Sequence, residues 1–242
     1  MHRITNLSWP ETPYGAGQRP FGKAVPMLAA ANLGWTDYWA TMCPKWTCFV
    51  YLRTDSTRTL SLDECALNFG FDLHIQEFSN ENLAYQFDKG LVAARRAAKI
   101  LAAHNFGEEL SWFDGLAEHG RMPGVDSVRQ QWSDRAHKGR GMAAMFDTAY
   151  DPEAARDFDD TCARLNITGL GQHDEGRELE PDYPTLVARW AIKETLTVAL
   201  IAAACTSKYR WSGEVDVEQA VTAAAWDRLA TFDEQFATVT SP

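Results

Sequence analysis

The chain has 242 residues, 45% apolar and 23% charged, with 33 acids against 23 bases and a net charge of −10. Such a length buries a core without disulfides or metal, and such a composition excludes wholesale disorder. The negative field opposes adventitious binding to nucleic acid or to an anionic membrane, so both rank low as partners.

Nine Trp, twelve Phe and seven Tyr point to a core rich in bulky rings. The five cysteines, Cys43, Cys48, Cys65, Cys162 and Cys205, are odd in number and scattered, which is not a disulfide framework. The opening MHRITNLSWPETPYG lacks the apolar stretch of a signal peptide. The longest apolar run, Thr195 to Cys205, is about half of a membrane span. A reducing cytoplasm is the expected compartment.

Along the chain, residues 1 to 26 read as an irregular arm, broken by Pro10, Pro13, Pro20 and Pro26 and by Gly15, Gly17 and Gly22. Met27 to Trp39 suggests a short helix, followed by a turn at Cys43-Pro44. Thr47 to Arg53 is dense in aromatic and β-branched residues, and Leu67 to Phe78 alternates apolar with polar. Between them Leu60 to Ala66 reads as a short strand or a helical turn. Residues 47 to 78 are thus expected to form a small antiparallel sheet.

From Glu81 the period lengthens to that of a helix, with Leu83, Phe87, Leu91, Ala94, Ala98 and Leu101 on one face. A second amphipathic helix is expected from Val125 to Phe146. Asp151-Pro152-Glu153 carries a helix-start signature. Pro184 to Lys208 is apolar nearly all round, as befits a central helix. The last helix starts at Asp216, with Gln219 placed for a capping box. The expected fold is therefore α+β and predominantly α-helical: a single domain in which a multi-helix bundle over residues 81 to 237 packs on the small sheet.

Four groups of residues carry possible chemistry. Gly17 to Ala24 has the glycine and lysine spacing of a phosphate loop, but Ala24 stands where a metal-binding hydroxyl belongs and no apolar strand precedes it. His104, Glu108, Glu109, Glu118 and His119 offer metal-ligand types, although Gly107 is expected to break the helix between His104 and Glu108. Glu194 stands on the most apolar helix, where a carboxylate must be paired, coordinated or raised in pKa. A salt bridge to Arg189 or Lys193 is its simplest partner. The acids Asp151, Glu153, Asp157, Asp159 and Asp160, and Asp174, Glu175, Glu178, Glu180 and Asp182, read as solvated clusters, with Asp157 and Asp160 spaced to share magnesium.

The fourth group is His137, the pair His173-Asp174, and Asp227. In order and spacing it resembles the H…HD…D pattern of the HD-domain metal-dependent phosphohydrolases. The resemblance implies an all-helical site in which His137, His173, Asp174 and Asp227 hold a divalent metal ion, with Asp174 and Glu175 as the catalytic carboxylates. Neutral imidazoles and carboxylates suit such a cation, which acidifies water and clamps a phosphoryl group. In this sequence the pair sits in a Gly-rich acidic stretch, Gly169 to Glu180, rather than at the end of an apolar helix. Two functions follow: a metal-dependent hydrolase or phosphohydrolase acting on a small phosphorylated molecule such as a nucleotide, or a non-enzymatic module whose acidic surface or aromatic arm (Trp9, Tyr14, Phe21) engages a protein partner.

Overall fold

The computed structural model describes residues 1–7, 26–38, 41–76, 80–113, 121–133, 142–151, 157–171 and 184–224. The chain opens with strands β1 (His2–Thr5), β2 (Met27–Tyr38), β3 (Thr41–Arg53), β4 (Leu60–Ser61) and β5 (Phe69–Ile75). Helix α1 (Asn80–Ala97), strand β6 (Ile100–Ala103), helices α2 (Phe106–Trp112) and α3 (Pro123–Ser133), and strand β7 (Ala144–Asp147) follow. Then come α4 (Phe158–Arg164), β8 (Ile167–Thr168), α5 (Pro184–Cys205), β9 (Tyr209–Arg210) and β10 (Val215–Asp216), and residues 217–224 are helical.

Six strands form one mixed sheet in the order β1-β5-β3-β2-β6-β7. The pairs β1–β5, β5–β3 and β3–β2 are antiparallel, whereas β2–β6 and β6–β7 are parallel. With a six-stranded mixed sheet at its centre, the fold is α+β, not the predominantly helical bundle with a small sheet that the sequence suggested.

Each difference has a local cause. Met27–Tyr38 reads as a helix because it is rich in alanine and apolar on every side. It is a strand with both faces buried: Leu28 and Ala30 join one core cluster, and Met27, Ala29, Ala31 and Leu33 join the other. Cys43-Pro44 is not a turn. Pro44 lies within β3 opposite Trp35, beside a bulge where the register shifts between Gly34 and Trp35, a place that tolerates a missing N–H. The arm is not irregular from its start, because His2–Thr5 pairs with Asp72–Ile75. Helix α1 stops at Ala97, so Leu101 belongs to β6. The segment from Val125 to Phe146 divides into α3 and β7. Four-residue parallel strands carry no period of their own, so each merged with the helical pattern before it.

The strand expected at Thr47 to Arg53 lies within β3, and the long apolar helix is α5. Helix 217–224 begins as the capping signature requires, with Gln219 N donating to Asp216 Oδ1 at 3.1 Å.

Helices cover both faces of the sheet. Inward residues of α5, such as Ile192, Leu196 and Leu200, pack on Leu28, Val50 and Phe71, while Phe87 and Leu91 of α1 pack on Phe49 and Ala29 opposite. Phe87 is fully buried and stacks on Phe113 with centroids 5.3 Å apart. Asp88 of α1 caps α3 by accepting from Gly124 N at 2.7 Å and Val125 N at 2.9 Å. A Cβ on Gly124 would lie 2.2 Å from the Asp88 carbonyl oxygen, so only glycine permits that approach. Among the described residues, no helix is long and apolar enough to cross a membrane.

Candidate functional site at the ends of the parallel strands

In open sheets with parallel strands, ligands gather in the crevice beyond the strands' carboxyl ends. Here β2, β6 and β7 run in one direction. Asn32, on β2 just beyond its last pairing with β6, and Asp147, the last residue of β7, stand at that end, and His104 follows directly after β6.

Asn32 is 7% exposed and lies on the α5-facing side of β2, by alternation from Leu28 and Ala30. Its Oδ1 accepts from Leu33 N at 2.9 Å, which leaves its amide group to donate to the carboxylate of Glu194 on α5. The ion pair expected for Glu194 is not formed with Arg189 or Lys193. Both cations reach Glu218 instead, at 3.2 Å and 2.7 Å. Burial pushes the Glu194 carboxyl up to about 8, and the Asn32 hydrogen bond only partly opposes this.

Glu109 projects from α2. As expected, His104 and Glu108 do not share a helix, but the break falls at the left-handed Asn105, and Gly107 lies inside α2. Burial raises the Glu109 carboxyl well above its ordinary range, and the charges of Glu194 and then Asp147 push it further. Its Oε2 is buried, with no hydrogen-bond partner among the described residues. Two half-buried acids from different helices therefore both hold their protons more tightly than usual, and Glu109 does so partly in the field of Glu194.

Asp147 organises this corner. It is 1% exposed, and its Oδ1 accepts from Asn105 N at 2.9 Å and Ala149 N at 3.0 Å. Its Oδ2 accepts from Trp132 Nε1 at 2.9 Å and Phe106 N at 3.3 Å. The start of α2 is thus capped from a neighbouring strand, since Asn105 is left-handed (φ 50) and does not cap its own helix. Tyr150 Oη donates to Asn105 Oδ1 at 2.9 Å and fastens the same loop.

On the other side, β2 passes beneath an indole. A Cβ on Gly34 would lie 1.9 Å from Trp46 Nε1, so glycine is required there. Trp46 meets Trp190 of α5 edge-on at 5.8 Å, one helical turn before Glu194.

The chain matches no family model, no curated protein and no solved structure.

His137, His173, Asp174, Glu175 and Asp227 all lie outside the described residues, as do the loop Gly17 to Ala24 and the pair Glu118-His119. Of the other candidates, Asp157 is accounted for as the cap of α4, accepting from Asp159 N at 2.8 Å. Among the described residues, no three His, Cys, Asp or Glu side chains are grouped to hold a metal on their own. Glu194 stood out in the sequence by itself, and His104 and Glu109 as members of one set of possible metal ligands. Asn32 and Asp147 did not: Asn32 fell in a segment that read as a short helix, and Asp147 just past the end of another. The signal for Glu194 was its setting: an acid on a helix whose succeeding residues, Thr195 to Ala203, are all buried.

Proposed function

We propose that this chain is a divalent-metal-dependent phosphohydrolase for a small phosphorylated molecule such as a nucleotide, and that Glu109 and Glu194 hold the metal. The observation that carries this reading is the unsatisfied Glu109 Oε2 of a carboxyl that lies in the field of a second acid, Glu194. Two carboxylates so placed do not both ionise easily without a compensating positive charge, and a bound cation supplies one.

Magnesium suits such a pair. It keeps several waters and commonly takes one or two carboxylates plus the phosphate oxygens of a substrate, so a third acidic ligand is not needed. Its charge also lets a phosphorylated molecule enter a site of acids on a chain of net charge −10. Once bound, the metal would clamp phosphoryl oxygens and acidify water. The protein's share is positioning: Asn32 orients Glu194, and Asp147 fixes the helix start from which Glu109 projects.

Titration calorimetry of the full chain with manganese at pH 8 to 9, combined with hydrolysis of bis(p-nitrophenyl) phosphate and a panel of nucleotides, tests this reading. Manganese is expected to bind, and Glu194→Gln or Glu109→Gln to weaken it by at least about tenfold and abolish turnover. Absence of manganese heat, with no change in melting temperature on adding manganese or magnesium, would refute the reading.

A further inference from the structure

We infer that His104 is the general base of this site, with its Nε2 taking the proton from the water that attacks phosphorus. This rests on the phosphohydrolase reading above, and four observations support it.

The first is position. The parallel register Leu28↔Ile100, Ala29↔Leu101 ends at Ala30↔Ala102, so Asn32 and His104 each lie two residues beyond the last pair, at the same end of their strands. Neighbouring strands are about 4.8 Å apart, and residues two apart share a face. Asn32 stands on the α5-facing side, where it reaches Glu194, and His104 meets Phe158, which packs on the core cluster of that same side. His104 also begins the short loop that leads into α2 and Glu109.

The second is the tautomer. His104 Nδ1 lies 2.9 Å from Thr148 Oγ1. A hydroxyl has one proton, and that of Thr148 goes to the Ala103 carbonyl oxygen at 3.3 Å. Both bonds are made only if Nδ1 carries the imidazole proton and donates to Oγ1. Nε2 is then left with its lone pair, as a base requires.

The third is orientation. The imidazole meets the Phe158 ring edge-on with centroids 4.8 Å apart, so its plane is held from α4 as well as from Thr148. The fourth is charge state. Burial lowers the His104 pKa, while the carboxylates facing it, Asp147 at the end of β7 and Asp157 at the cap of α4, act in the opposite direction. The net effect favours neutral imidazole near pH 7.

The step balances simply. Nε2 accepts a proton from water as the water oxygen bonds to phosphorus. The bond from phosphorus to the leaving oxygen breaks, and its electron pair departs with that oxygen. His104, now imidazolium, returns the proton to solvent or to the leaving group.

Two measurements test this. Long-range nitrogen–proton correlation spectra of the full chain at pH 7 should show His104 protonated on Nδ1 alone. An Nε2–H tautomer, or a charged ring, overturns the proposal whatever the activity. In the hydrolysis assay, His104→Asn keeps an N–H near the position of Nδ1 but has no base. It should lower kcat by about a hundredfold or more, leave manganese affinity within about twofold, and show no rescue. His104→Gly should recover part of its rate when free imidazole is added, which a purely structural histidine would not allow. A wild-type rate kept by His104→Asn sinks the base while leaving the metal site intact. No wild-type turnover, with no bound manganese, sinks both.

Discussion

Carboxylates in two regions of the molecule, one on the sheet and one on the helices that flank it, are pushed in opposite directions. At the antiparallel edge, burial acts upward on Asp72, yet hydrogen bonds from His74 and Arg3 hold it below its ordinary range. Arg3 grips it with Nε at 2.8 Å and Nη2 at 3.0 Å, a forked pairing of cation and acid. At the parallel end, half-buried Glu109 lies in the field of half-buried Glu194, and the side chain that bonds Glu194 is a neutral amide. The first cluster joins β1 to β5 and satisfies its acid within the fold. The second pairs its acids with no cation among the described residues, so both carboxyls are raised and tend to keep their protons.

The contrast can be broken most severely at Asp147. Asp147→Ala would strip acceptors from four N–H donors in a buried corner, and breaking such a network should cost about 3–5 kcal/mol. Denaturant unfolding at neutral pH would measure it. A loss under about 1 kcal/mol would mean that the cap on α2 is dispensable.

The pH response should sharpen the contrast next. A carboxyl raised in the folded state keeps its proton there while the unfolded chain has already released it. Glu194, at about 8 when folded, therefore makes the metal-free protein less stable as pH rises from about 4.5 toward 8. The slope is on the order of 1 kcal/mol per pH unit. Glu194→Gln should flatten this limb and raise stability at pH 8, and magnesium should stabilise the wild type there but not the variant. Asp72 has the opposite sign: its contribution is present above the ordinary carboxyl range and is lost as pH falls through its lowered value.

The smallest effect belongs to Arg3. Its pair with Asp72 is part-exposed, at 33% and 21%, so Arg3→Ala should cost only about 0.5–1 kcal/mol and leave metal binding untouched. A change in manganese affinity in that variant would show that the two clusters are coupled through the sheet.

Part of this architecture was legible in the residue order. The strand within Thr47 to Arg53, the amphipathic α1, the apolar α5 and the cap at Asp216 each declare themselves through local period or local capping chemistry. The parallel strands do not. Ile100–Ala103 is buried at every position, and such a run looks the same whether it extends a helix or threads a sheet. Missing β6 and β7 meant missing the sheet's parallel end, and with it the place where Asn32, His104 and Asp147 come together. The HD-like residues occupy segments outside the described structure, so the site drawn here comes from other parts of the chain.

The sequence alone determined that Glu194 had to be an anomaly, because an ionised carboxylate on an apolar helix is costly wherever that helix lies. It likewise set where α5 and the last helix run. Only the tertiary structure decided what faces Glu194: an amide from β2 and an acid from α2, with both nearby cations drawn off to Glu218. The reason is physical. Burial is set by a residue's own helix, whereas charge compensation depends on neighbours that are distant along the chain and meet only when the strands pair.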